Sequence, residues 1–273
     1  MYLFLDSIKM PQKSRRFLHK LHQSLERSDV KCKISFKYEC CDALVLYGLG
    51  GADRYGVGMD HIEAGKPLLS FDLGYWSRKL PNRKYRFSLN GLHPSMVMAC
   101  KHSGPARFLE SKLVIETIET KKNGPIMLVG NAPKSIAVGA QDWTARTSKE
   151  IREQFPDRQI VYRPKPKRPI EDGVDYDEVS CEPINKALQN SSLVVCRHSN
   201  VAVDACFLGI PVVCTDGAAA GIYPNLLSDY YRQPDAATRI EFLHRLAYWQ
   251  WGAYEAKQFW EWFFRTFPSY DYR

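Results

Sequence analysis

The sequence predicts an α/β protein made of two doubly wound domains facing one another across a cleft. Three observations carry this. Short continuous apolar runs such as Leu193 to Cys196, Val212 to Cys214 and Asp42 to Leu46 suit strands buried on both faces of a parallel sheet. Each strand-like run stops at a polar or glycine-rich turn that opens a helix. The resulting unit occurs twice, as DALVLYGLGG with AGKPLLSFDLG and as SLVVCRHSN with LGIPVVCTDG, about 150 residues apart. The competing explanation is that any two strand-helix-strand units share this punctuation, since helices stop at glycine and proline precedes many strands.

With 273 residues, 45% of them hydrophobic, the chain can bury one large core or two smaller ones. No apolar run nears the ~20 residues that span a bilayer, and MYLFLDS is too short and wrongly flanked for a signal peptide, so a cytosolic protein with no membrane partner is expected. Eight cysteines lack any CxxC pair, and Cys196, Cys206 and Cys214 fall on expected buried elements; reduced thiols and no zinc site follow. The formal charge of +8 points to a polyanionic or phosphorylated partner.

In chain order, Tyr2 to Leu5 reads as a first strand and Gln12 to Arg27 as a helix with Phe17, Leu21 and Leu25 on one face. Lys13, Arg15, Arg16 and Lys20 form either a solvated face or a phosphate contact. Lys33 to Tyr38 alternates like an exposed strand. The turn Tyr47 to Gly51 lets backbone approach a ligand through Gly50 and Gly51, although it is not GxGxxG. A helix to Ala64 and the strand Leu68 to Phe71 complete the unit. After it come Asp72, Tyr75, Trp76 and Arg78, a basic and aromatic loop, and YRFSLNGLHP, which holds Asn90 and His93. These aromatics either stack on a nucleic acid or sugar phosphate, or close a lid as buried rings. The first domain spans residues 1–122 and ends at the Lys121 to Pro125 linker.

Residues 123–240 form the second domain. Ile126 to Gly130 opens it, Asn131-Ala132-Pro133 makes its turn, and Ser148 to Gln154 is a helix. The strand Ile160 to Tyr162 ends in Arg163-Pro164-Lys165-Pro166, whose prolines would aim Arg163 and Lys165 into the cleft. The acidic run from Glu171 to Glu178 reads as a solvated loop, since its spacing fits no EF-hand. Arg197 to Asn200 interrupts the apolar pattern where an open sheet binds ligands, and free N–H groups at the following helix start would favour a phosphate. His198, Ser199 and Asn200 are the first site candidates, against the alternative that Ser199 and Asn200 only cap the helix. The small residues after Gly217 suit close backbone approach. Residues 241–273 continue an aromatic-rich helical tail, too apolar for one face, that is expected to pack across the domain junction.

The motifs YRPKPK at 162 to 167 and RHSNVAVDACFLGIPVVCTDGAAA at 197 to 220, with GLGG, DLGYWSR and FSLNGLHP, resemble those of small GT-B glycosyltransferases with two Rossmann-like domains, particularly bacteriophage-encoded ones. The resemblance implies a nucleotide-sugar co-substrate, a UDP-sugar first among them, held by the second domain with no bound cofactor and no obligatory metal. Arg163, Lys165, His198, Ser199, Asn200, Asp204 and Gly217 would hold the donor. The first domain would bind the acceptor through Gly50, Gly51, Tyr75, Trp76, Arg78 and Asn90, with Asp72, Asp53 or His93 as the base. A hydroxymethylated base in phage DNA is the acceptor expected first, giving DNA as a partner; a surface saccharide, a small molecule, or a non-catalytic nucleotide- or nucleic-acid-binding protein are the alternatives.

Overall fold

Continuous apolar runs become parallel strands in both halves of the chain. The computed structural model describes residues 1–7, 9–49, 52–78, 80–121, 123–131, 141–166 and 168–271. By contacts the chain forms two units, Met1–Gly104 together with Arg245–Arg273, and Pro105–His244. The division therefore falls before the Lys121 to Pro125 run. The reason is backbone pairing: the N–H groups of Glu116 and Ile118 donate to the carbonyls of Phe207 and Leu208, and Arg239 Nη2 donates to Thr117 Oγ1 at 2.7 Å.

The first unit holds β1 (Tyr2–Leu5), β2 (Cys32–Ser35), β3 (Ala43–Tyr47), β4 (Leu68–Leu73) and β5 (Tyr85–Leu89), joined at one edge by β11 (Gln250–Trp251). The order is β11-β5-β4-β3-β1-β2. The pairs from β2 to β4 are parallel, whereas β5 and β11 are antiparallel additions. β2 stops at Ser35 because the Ser35 hydroxyl accepts the Lys37 N–H and donates to Glu39, turning the chain before Tyr38. Helix α1 (Gln12–Glu26) buries Phe17, Leu18, Leu21 and Leu25. Helix α2 (Ala52–Glu63) ends before Gly65, whose φ of +73° suits glycine.

The stretch YRFSLNGLHP, whose rings were expected to stack on a ligand or close a lid, contains β5. Tyr85 and Phe87 alternate with Arg86 and Ser88, a period of two that makes a strand with one ring-bearing face. Phe87 stacks on Trp249 with ring centroids 5.4 Å apart and also meets Phe259 and Phe263. The tail is likewise more than one helix. Ala236–Leu246 and Ala256–Thr266 are helices on either side of β11. Its aromatics exceed one helical face because Trp249 and Trp251 belong to the turn and strand, while Phe259, Trp260, Trp262 and Phe263 belong to the second helix. This helix lies against α1, and Trp260 Nε1 donates to the Leu21 carbonyl at 2.9 Å. Each fully buried large side chain contributes roughly 1.5–3 kcal/mol, so the tail is a principal part of the first unit's core.

The second unit is a parallel sheet of β6 (Ile126–Val129), β7 (Ile160–Arg163), β8 (Glu178–Val179), β9 (Leu193–Cys196) and β10 (Val212–Cys214), in the order β10-β9-β6-β7-β8. Its core includes Ile126, Leu128, Ile151, Ile160, Tyr162 and Val195. The short β8 begins at the end of the acidic run, which is more than a solvated loop. Arg152 pairs with Asp175 and Asp177, and Asp177 accepts the Ile160 N–H at 2.7 Å. Among the described residues no helix is long and apolar enough to cross a membrane.

Candidate functional site

In the second unit the topological switch point falls between β6 and β9. Chains leave these neighbouring strands in opposite directions, so a crevice opens beyond their carboxyl ends. Arg197 to Asn200 lie there, as the apolar pattern predicts. Lys165 reaches the same place from β7, across the end of β6, and its Nζ donates to Ser199 Oγ at 2.9 Å. The Val201 N–H also donates to Ser199 Oγ, at 3.3 Å. With its oxygen accepting two bonds, Ser199 has its hydroxyl proton to give to an anion.

The helix start is less open than expected. Ala202 N–H donates to the Ser199 carbonyl and Val203 N–H to the Asn200 carbonyl, so these first-turn donors are taken within the turn. Asn200 is the N-cap residue but makes no side-chain cap bond, and Asp204 is half-buried in the first turn. Charge at this edge is supplied by Lys165 and by a group that sequence reasoning missed. Asp216, just past β10, accepts from Arg197 Nε at 2.9 Å and lies 3.3 Å from His198 Nδ1. Partial burial raises the Asp216 carboxyl, but His198 and Arg197 outweigh it and hold it below its ordinary value. The signal available was its place, two residues past the strand that pairs with the one leading into Arg197 and His198.

Gly217 serves packing. A Cβ there would stand 2.8 Å from Cys214 Sγ and 3.1 Å from His198 Cα, so a side chain would push the β10 turn off the His198 backbone. Arg163 is directed elsewhere, with Nη1 donating to Ser180 Oγ at 3.2 Å beyond β8. On the β6 side, Glu171 Oε1 accepts the Asn131 N–H at 2.7 Å and the Tyr162 hydroxyl at 3.1 Å. Burial first, and then the Glu171 charge, push the Tyr162 phenol far up. Gly130 has no room for a side chain between these groups. Glu171 is thus a fixed acceptor at the crevice edge.

In the first unit the switch point lies between β1 and β3. The glycines Gly50 and Gly51 lie outside the described residues, as do Ala132, Pro133 and Lys167. Asp6 directly follows β1 at this point, and the sequence reading passed over it. It is 4% exposed and accepts from Arg15 Nε at 2.8 Å, His19 Nε2 at 2.9 Å and the Ser7 N–H at 2.7 Å. Burial raises this carboxyl, yet the bonds from His19, Arg15 and Ser7 prevail and hold it below its ordinary value. The His19 side chain is 41% exposed, so the pair presents its imidazole outward and keeps its carboxylate inside.

Asp72, Tyr75 and His93 are brought together through Arg86. Asp72 Oδ2 accepts from Arg86 Nη2 at 3.0 Å across the β4–β5 pair. The Arg86 guanidinium lies 5.9 Å from the Tyr75 ring centroid, and the Tyr75 hydroxyl lies 3.5 Å from His93 Nδ1. Tyr75 and Trp76 are buried, and their turn is fastened to Gln250, whose side chain accepts the Trp76 N–H at 3.4 Å. Arg78 holds the Tyr75 carbonyl, and Asn90 Oδ1 accepts the Leu68 N–H at 2.8 Å. Asp53 is exposed in the first turn of α2.

No protein-family model matches the chain, and no curated protein does. Solved structures do. The beta Kdo 2,7 transferase of Thermosulfurimonas dismutans KpsC is 14% identical over 95% of this chain and 98% of that one, with a TM-score of 0.54. The beta Kdo 2,4 transferase of the same organism's KpsC is 13% identical over 90% of each chain, with a TM-score of 0.52. At this identity the likeness concerns the fold, and it agrees with the two parallel-sheet domains described above: the chain has an α/β, GT-B-like fold.

Proposed function

We propose that this protein is a glycosyltransferase that moves a sugar from a nucleotide-sugar donor, a UDP-sugar first among them, to a hydroxyl acceptor. The observation that carries the reading is the Lys165–Ser199 bond over the switch point of the second unit, where a cation and a hydroxyl proton face the position a pyrophosphate takes in such sheets. Lys165 would neutralise the leaving diphosphate and Ser199 would donate to it. Asn200 and His198 line the same turn, with His198 and Arg197 fixed by Asp216.

Attack by a hydroxyl needs a base at the acceptor. The His19–Asp6 pair supports that role best: Asp6 orients the ring from the interior and the exposed side of the imidazole is left to take the proton. Asp72, with its carboxylate on Arg86, and the exposed Asp53 and the buried His93 are the other candidates. Within this reading the acceptor is a hydroxymethylated base in DNA, supported by the +8 charge.

The test is release of nucleoside diphosphate from a panel of nucleotide sugars, with and without hydroxymethylated DNA. Sugar appearing on the DNA together with diphosphate release is the expected result. A chain that binds no nucleotide sugar and releases no diphosphate would remove the transferase reading; release that only saccharide acceptors stimulate would remove DNA as acceptor.

A further inference from the structure

Helix α1 has three faces, of which the core and the switch point use two. Phe17, Leu18, Leu21 and Leu25 face the core, and Arg15 with His19 faces Asp6. The third face carries Lys13, Arg16, Lys20, Gln23 and Arg27, all exposed. Their alternating spacings of three and four residues keep them in one row, which at 1.5 Å per residue is ~21 Å long.

Two cavities turn this row into a groove. One of about 360 Å³ is lined by Lys13, Arg16, Arg83, Lys84, Tyr85 and Tyr254. A second of about 440 Å³ is lined by Lys20, Gln23, Arg27 and Lys257 and shares Ala253 and Tyr254 with the first. The register pairs Leu73 with Tyr85 and Tyr85 with Trp251, which puts the first cavity at the carboxyl edge of the parallel strands, the edge on which such sheets hold ligands. Among the described residues lining the two cavities one is a carboxylate, Glu255, and it lies 3.4 Å from Lys84. The surface is strongly cationic over its whole length.

We propose that this groove binds the sugar-phosphate backbone of a nucleic acid. The row covers about six base-pair steps at 3.4 Å each, and Lys and Arg repeat along it as a regular polyanion requires. Tyr254 favours nucleic acid over an acidic glycan. Its side chain is exposed, and Arg16 holds it through a 3.2 Å bond to the hydroxyl with the guanidinium 5.9 Å from the ring centroid. A fixed aromatic ring among phosphate-binding cations is what a base stacks upon. The inference deepens the transferase reading by giving its acceptor a binding track, and it rests on that reading for its catalytic meaning.

The experiment measures binding of the full chain to a duplex of about 20 base pairs by fluorescence anisotropy over a salt series. The triple variant Lys20→Gln, Arg27→Gln, Lys257→Gln removes three groove charges; Lys121→Gln, Arg146→Gln, Lys149→Gln removes three exposed charges of the second unit. Each lost phosphate contact lowers the salt slope by about 0.9 and, at 0.1 M salt, weakens binding about eightfold, so the groove triple should bind several hundredfold more weakly. The control should bind within about twofold of the parent, and Tyr254→Ala should weaken binding to a single-stranded oligonucleotide about tenfold. Equal losses in both triples, no loss in the groove triple, or groove-dependent binding of heparin or phosphatidylglycerol vesicles with none of the duplex would overturn the proposal. Diphosphate release from a nucleotide sugar without acceptor separates the two readings. If it is present in the groove triple and the parent while groove-dependent DNA binding is lacking, the track fails alone. If it is lacking in the parent while groove-dependent DNA binding holds, the transferase reading fails alone.

Discussion

Lys165 and Ser199 meet over the end of a strand that belongs to neither of them. The 2.9 Å bond from Nζ to Oγ joins the turn after β7 to the turn after β9, with β6 between. A long cation and a short hydroxyl from separate loops converge where the sheet's connections diverge. Lys165→Met should weaken nucleoside diphosphate binding about tenfold to a hundredfold, the range for losing one charge-assisted hydrogen bond. Ser199→Ala, which loses a neutral one, should weaken it about fivefold. Titration calorimetry with UDP checks both, and equal affinity in Lys165→Met and the parent would move the donor phosphates elsewhere.

Asp6 links stability to pH. Its folded-state carboxyl is held below the ordinary value, so its contribution is present above the unfolded pKa, about 3.9, and fades as pH falls through the folded one. Asp6→Asn should cost about 2 kcal/mol at pH 7, since it weakens the bonds from Arg15 and His19. The gap to the parent should narrow as the pH falls below about 4 and Asp6 takes up its proton. Urea unfolding across that range reads it directly, and a gap independent of pH would show that the Asp6 charge contributes nothing.

Two glycines should respond in opposite ways. Gly217→Ala places a methyl 3.1 Å from the His198 backbone and 2.8 Å from Cys214 Sγ, and should destabilise by about 1–3 kcal/mol. Gly56 lies inside α2 with nothing within 4 Å of an added Cβ, so Gly56→Ala should stabilise by roughly 0.5–1 kcal/mol. Thermal melts of the two variants beside the parent test the pair together.

Phe87 connects β5 to the tail. Phe87→Ala removes a ring that meets Trp249, Phe259, Trp262 and Phe263, and should cost about 3–5 kcal/mol. Chemical denaturation followed by tryptophan fluorescence is the readout. A loss below about 1 kcal/mol would mean that the tail repacks without it.

The parallel strands were legible because a strand buried on both faces is written locally, as in LVVC and ALVLY. β5 and β11 were not, because β11 has two residues and its partner lies more than half the chain away; no local period records such a pairing. At the site, the His198-Ser199-Asn200 turn showed itself by interrupting an apolar run. Asp6 and Asp216 carried no motif, since each acquires meaning only from partners delivered by another element. For Asp6 there was a readable hint: Arg15 and His19 stand four apart on the helix that doubles back over its strand, so one face of that helix meets the strand end. For Asp216 the partner strand had to be known first.

The first unit is closed by the far end of the chain, with the Tyr2 hydroxyl bonded to the Tyr270 carbonyl and α1 covered by Ala256–Thr266. Order of synthesis therefore runs against order in sequence. On the ribosome, residues 105–244 emerge before the tail, while Phe71, already against Phe17 and Phe87, waits with Phe87 for Trp249 and Phe259 until the tryptophan-rich tail appears. The segment translated first has its core completed by the segment translated last.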